Sequence, residues 1–225
     1  MNALLQNLRY VILIMAIFAY AVISLYRFQR KQAFDNSISY LLASGGYASY
    51  CERLFSQTGR KIYHEYELKL KQLKAAVAFE RREDARALIR ELSSMPMRER
   101  DFIAYNKEVL SFAVQEKDTA MAEDVCSAFR KYRRHAKYAQ DALQVKDIFI
   151  LRQSNHIEEL AAAAEKAKIP SEKATAYFRL AKQYHYLGEE GRCRQYLEMA
   201  YTAFPDSTWQ KLIKGILDGS YEQLD

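Results

Sequence analysis

The chain is poor in residues that make turns: its 225 residues include only seven Gly and three Pro. Without turn chemistry and without sustained period-two alternation, a fold built on strands has little to stand on. Histidine and cysteine are equally sparse, at four and three residues. His64, His135, His156 and His185 lie far apart with no second ligand at helical spacing, so no metal centre is expected. Cys51, Cys126 and Cys193 are odd in number and distant, which reads as reduced thiols packed as small hydrophobes. The chain has neither a Gly-rich phosphate loop nor a Gly-x-Ser-x-Gly elbow. Neighbouring carboxylates such as Glu158 with Glu159, and Glu189 with Glu190, diverge by about 100° on a helix and do not converge on one substrate atom. The expectation is therefore a protein with no catalytic residue, metal or cofactor, and not an enzyme.

What the chain does have is apolar spacing at helical intervals. From Tyr177, the positions Leu180, Ala181, Tyr184 and Leu187 step by three and four and fall on one face. The stretch 188–191 interrupts them, and a second stripe runs through Cys193, Leu197, Ala200, Tyr201 and Phe204 up to Pro205. This pattern predicts an antiparallel helical hairpin, with Ala181 and Ala200 allowing close backbone approach and Tyr177, Tyr184 and Leu197 supplying bulk.

This hairpin resembles a tetratricopeptide repeat, a helix-turn-helix unit of about 34 residues, most clearly over residues 174–207. Tyr177 stands at the family's first aromatic position, Leu180 and Ala181 at its Leu-Gly pair, Tyr184 at its tyrosine, Ala200 at its second-helix alanine and Pro205 at its closing proline. Cys193 replaces the usual alanine, and Leu197 the usual aromatic. The resemblance implies neighbouring repeats, because one repeat does not bury its own apolar face. It also implies that the first helices line a groove for a protein or peptide, which here places Phe178, Arg179, Lys182, His185 and Tyr186 on the binding face.

Weaker copies precede this hairpin. Pro96, Pro170 and Pro205 lie 74 and 35 residues apart. Leu70, Leu73 and Val77 lead to Ala85, Ile89 and Leu92; Tyr105, Val109 and Phe112 lead to Met121, Val125 and Ala128; Ala142 to Ile150 leads to Ile157, Leu160 and Ala164. About four hairpins are expected over residues 61–225, either as a tetratricopeptide-like α-solenoid or as an irregular bundle. A C-terminal capping helix would lay Trp209, Leu212, Ile213 and Ile216 on the last hairpin. Asn155 with Glu158, Ser171, and Asp206 or Ser207 are the expected helix starts.

Residues 10–26 carry no charge, proline or glycine. At 1.5 Å per residue they span about 25 Å against a hydrocarbon core of about 30 Å, with Leu4, Leu5 and Leu8 extending the run. The expectation is a single transmembrane helix within residues 1–31; a cleaved signal peptide ending at Ala19-Tyr20-Ala21 is the rival. The basic flank Arg27, Arg30 and Lys31 would orient a single-pass protein with its C-terminal part in the cytoplasm. Residues 32–60 then form a hinge and a leading helix, with Gly45 and Gly46 as the break.

The net charge of +6 resides mostly in residues 1–31: Arg9, Arg27, Arg30 and Lys31 account for four of the basic groups and leave 30 basic against 28 acidic beyond residue 31. Nucleic acid is accordingly not the favoured partner. The reading is an all-α, membrane-anchored adaptor for a protein or peptide. One alternative binds nucleic acid or anionic lipid through the basic run 129–138; another is an extracytoplasmic chaperone-like domain on the same anchor.

Overall fold

The computed structural model describes residues 2–44, 46–219 and 221–224, with side chains from Met15 onward except at 222 and 223. Among the described residues every regular element is helical. The chain divides into two compact units, Met1–Glu108 and Val109–Asp225.

The first unit holds α1 (Asn2–Ser44), α2 (Tyr47–Leu54), α3 (Gln57–Ile62), α4 (Glu65–Ala78), α5 (Arg82–Ser93) and the start of α6 (Glu99–Glu116). Its core joins Phe34 and Ile38 of α1 to Tyr50, Leu54, Tyr63, Leu68 and Ala75. Gly59 is required by contact: a Cβ there would sit 1.9 Å from the Leu54 carbonyl oxygen. Within the segment expected to be a hinge, α1 runs on unbroken to Ser44. Gly45 lies outside the described residues, and Gly46 is the N-cap of α2.

Among the described residues no helix is long and apolar enough to cross a membrane. This overturns the expected N-terminal transmembrane helix and, with it, the single-pass localisation with a cytoplasmic C-terminal domain. The apolar run from Tyr10 to Tyr26 is shorter than a span needs, and the side chains of its first five positions, 10–14, lie outside the described residues. From there α1 continues through Arg27, Arg30, Lys31 and Asp35, so a longer window takes in charge. The bilayer contact assigned to residues 10–26 and the anchored readings lose their footing.

The second unit holds the rest of α6, then α7 (Thr119–Arg130), a 3-10 turn (Arg133–His135), α8 (Ala136–Val145), a π-helical turn (Lys146–Ile150), α9 (Ile157–Lys166), α10 (Pro170–Tyr186), α11 (Glu190–Ala203), α12 (Ser207–Asp218) and a 3-10 turn (Tyr221–Leu224). Leu160, Ala164, Leu180, Ala181, Leu197, Ala200, Ile213 and Ile216 form one buried core.

A regular device marks the helix pairs. The chain takes a left-handed conformation at Glu80, Lys117 and Arg152, each with φ 54°, and at Gly188, with φ 71°. Successive members are 37, 35 and 36 residues apart. At each such turn a backbone N–H reaches back to satisfy a carbonyl left open at the helix end: Arg81 to Ala76 at 2.8 Å, Asp118 to Ala113 at 2.8 Å, and Glu189 to Tyr184 at 2.9 Å. In the third turn Gln153 donates to Asp147 at 2.8 Å, one residue further back, because the π-helical turn has inserted a residue. The result is an all-α, repeat-like succession of helices in which α4 packs on α5 and α10 on α11. Three of the four turns use residues that pay about 1 kcal/mol for a left-handed backbone, which is why only the Gly188 turn stands out in the sequence.

Two expected helix starts are corrected. α9 begins at Ile157 after His156, while the Asn155 amide is turned back to Gln153. α10 begins at Pro170, whose fixed φ and missing N–H suit a first helical position, rather than at Ser171. Asp206 does cap α12, accepting from Thr208 N at 2.6 Å.

Candidate functional site

The α10–α11 pair places the repeat-like residues as their spacing requires. Leu180, Ala181, Tyr184, Cys193, Leu197 and Ala200 are all buried. Tyr184 stacks on Tyr196 at 5.4 Å between ring centres, and Tyr177 lies 6.0 Å from the same ring. Burial pushes the Cys193 thiol up to about 11, so it remains a packed, protonated sulfur at neutral pH. Pro205 is exposed just past the end of α11.

The five residues expected to face a partner are brought together, but against their own chain. The Phe178 ring lies 6.5 Å from Phe149 and 6.1 Å from Trp209. Lys182 is only 6% exposed and holds its ammonium 4.8 Å from the Phe149 ring centre and 5.7 Å from that of Tyr186, a favourable arrangement for a desolvated cation. Arg179 pairs with Asp141 at 2.7 Å and donates to Gln144 at 2.8 Å. His185 packs beside Tyr186 and Tyr221. This face of α10 is a seam between helices. Outward apolar surface is found instead on α12, where Trp209 is 44% and Leu212 46% exposed while Ile213 and Ile216 point inward. The expected four-residue capping face is therefore split: Ile213 and Ile216 close the core, Trp209 stacks on Phe204 at 5.2 Å, and Leu212 faces out.

Beside the seam lies a partly buried polar network that spacing does not reveal. Both nitrogens of His156 face carboxylates: Nε2 is 2.9 Å from Asp147 and Nδ1 is 3.2 Å from Glu159. Its backbone N–H donates to the side-chain oxygen of Gln183, a residue with no exposed surface, at 2.8 Å. Glu159 also accepts from Gln140 and Gln144, and Gln144 in turn accepts from Arg179. The two carboxylates address opposite edges of the imidazole and so do not converge as ligands. Among the described residues no group of three or more His, Cys, Asp or Glu is placed to hold a metal. Asp147 is carried by the π-helical turn, a backbone feature that re-aims side chains.

The basic run 129–138 forms the end of α7, the 3-10 turn and the start of α8. Buried His135 sits edge-on to Phe129 at 6.2 Å, with Tyr132 at 5.4 Å and Tyr138 at 6.2 Å. Arg130 donates to Glu123 at 2.9 Å, and Lys146 holds the same carboxylate at 2.5 Å. These bonds, that of Lys146 foremost, keep Glu123 below the ordinary carboxylate range. Lys137 pairs with Glu172 at 3.1 Å. Next to the aromatic cluster is an open pocket of about 250 Å³ bordered by Arg130, Tyr132, Arg133 and Gln140.

In the first unit, Lys31 and Lys71 lie 5.0 and 4.7 Å from the Tyr63 ring centre. The Tyr63 hydroxyl donates to Asp35, which also pairs with Lys71 at 3.1 Å. Burial alone would raise the Asp35 carboxyl, but Tyr63 and Lys71 outweigh it and hold it below its usual range. Arg27 and Arg30, the rest of the basic flank, are exposed on α1. The adjoining cleft, of about 420 Å³, also borders Glu108, whose carboxyl is raised by burial against the opposing pull of Lys74.

No family model, no curated protein and no solved structure matches this chain.

Proposed function

We propose that the chain is a non-catalytic, tetratricopeptide-like scaffold that binds a protein or peptide. The observation that carries this reading is the recurrence of left-handed helix ends at Glu80, Lys117, Arg152 and Gly188, 35 to 37 residues apart. Such spacing belongs to helix-pair repeats, whose successive surfaces serve as docking platforms. The buried small and aromatic positions of α10–α11 support the same reading. Because Phe178, Arg179 and Lys182 are engaged within the chain, the partner is expected on the outer surfaces of the pairs rather than on that face of α10. The test is affinity capture on the immobilised full chain, followed by hydrogen exchange on the reconstituted complex. A specific partner that protects surfaces within residues 65–218 is the expected result. Failure to retain any protein above a scrambled control, or protection confined to residues 2–44, overturns the proposal.

A further inference from the structure

The pocket between α7 and α8 brings together three kinds of group. Arg130 and Arg133 line it with the polar Gln140 and the apolar Ala136, Ala139 and Leu143, and Tyr132, 47% exposed, adds an aromatic residue. The Arg133 side chain makes no ion pair or hydrogen bond among the described residues, whereas Arg130 shares Glu123 with Lys146. The loop carrying these groups is held in place, because His135 is buried against Phe129 and Tyr138. The backbone that presents Arg133 is thus fixed before binding.

The charge pattern selects the kind of anion. Residues 129–138 contain five basic groups and no acid, yet the second unit as a whole has 17 basic and 17 acidic residues. Glu123 and Glu159 lie against the lining, held by Arg130 and Gln140. A nucleic-acid strand, with a phosphate on every nucleotide and a site of about four or more nucleotides, would run from this spot into those carboxylates. A single dianionic group would not. Two guanidinium forks in one lining suit a phosphate monoester, and the apolar lining residues with Tyr132 suit a ring carrying it.

We infer that this pocket receives a phosphorylated tyrosine side chain of a peptide, the phosphate lying between Arg130 and Arg133 and the ring against Ala136, Ala139 and Leu143. The inference deepens the protein-binding reading and rests on it.

The test uses the full chain and a peptide library with phosphotyrosine fixed between degenerate flanks, alongside the same library unphosphorylated and one with phosphoserine. Retention of the phosphotyrosine library about tenfold above the unphosphorylated one is expected, with phosphoserine weaker because it leaves the apolar side unfilled. Arg133→Ala should remove about tenfold of that binding and Arg133→Lys should not restore it, since an ammonium lacks the planar fork. Lys131→Ala, an exposed change of the same charge outside the pocket, should leave binding within about twofold. Circular dichroism melts of each variant should superimpose on the wild type. Equal retention of the phosphorylated and unphosphorylated libraries overturns the inference. So does equal loss in Arg133→Ala and Lys131→Ala with displacement by an oligothymidylate, which would assign the surface to polyanions. If the captured protein partner binds wild type and Arg133→Ala alike while the phosphotyrosine library fails, only this inference falls and the scaffold reading stands.

Discussion

Nε2 of His156 lies 2.9 Å from Oδ2 of Asp147, and both side chains are buried. The pair fastens the segment before α9 to the π-helical turn. Removing Asp147 strands a polar ring nitrogen away from water, a larger penalty than the hydrogen bond itself is worth. Asp147→Ala should therefore cost about 2–3 kcal/mol in urea unfolding, and Asp147→Asn, which keeps an oxygen acceptor, distinctly less. Equal costs for the two variants would show that the contact is incidental to stability.

The turn at Gly188 and the interior of α12 should respond in opposite directions to the same substitution. A Cβ at either Gly188 or Gly215 meets nothing within 4 Å, so packing plays no part. Gly188 holds φ at 71°, and Gly188→Ala should destabilise by about 1 kcal/mol. Gly215 is within a regular helix, and Gly215→Ala should stabilise by about 0.5–1 kcal/mol. Thermal melts of the two variants check both signs.

Packing between α10 and α11 should be intolerant of volume change in either direction. Leu197 has no exposed surface, and Leu197→Ala should cost about 2–5 kcal/mol, depending on how far the cavity collapses. Ala181 is equally enclosed, and Ala181→Leu should cost about 1–3 kcal/mol through overpacking. Denaturant midpoints measured at constant m-value decide the matter.

Glu108 predicts a pH dependence. Burial raises its folded-state pKa above the ordinary 4.5, so folding favours the neutral form. The favourable contribution is complete below the unfolded value and is lost as pH rises through the folded one. Glu108→Gln should therefore raise stability at pH 7, by about 0.5 kcal/mol, and the gain should vanish near pH 4. A gain independent of pH would assign the effect to shape rather than charge.

The α10–α11 pair was legible because its intervals are local: Leu180, Ala181, Tyr184, Cys193, Leu197 and Ala200 are all buried where the spacing puts them. The other three turns were not, since Glu80, Lys117 and Arg152 carry no glycine signature. Residues 10–26 resemble a membrane segment because they lack charge over a short run, whereas among the described residues no helix has the length and apolar character to cross one. Lys182 and Arg179 look solvent-seeking in one dimension, yet the rings of Phe149 and Tyr186 and the carboxylate of Asp141 give them partners inside.

By itself the sequence determined helicity, the pairing of α10 with α11 and the concentration of positive charge at 129–138, because each depends on residues a few positions apart. Tertiary structure alone decided that Asp147 meets His156, that Arg130 and Arg133 border one pocket, and that the outer stripe of α10 becomes a seam. Those outcomes depend on which helix faces are brought together, and the period of a single helix carries no information about its neighbour.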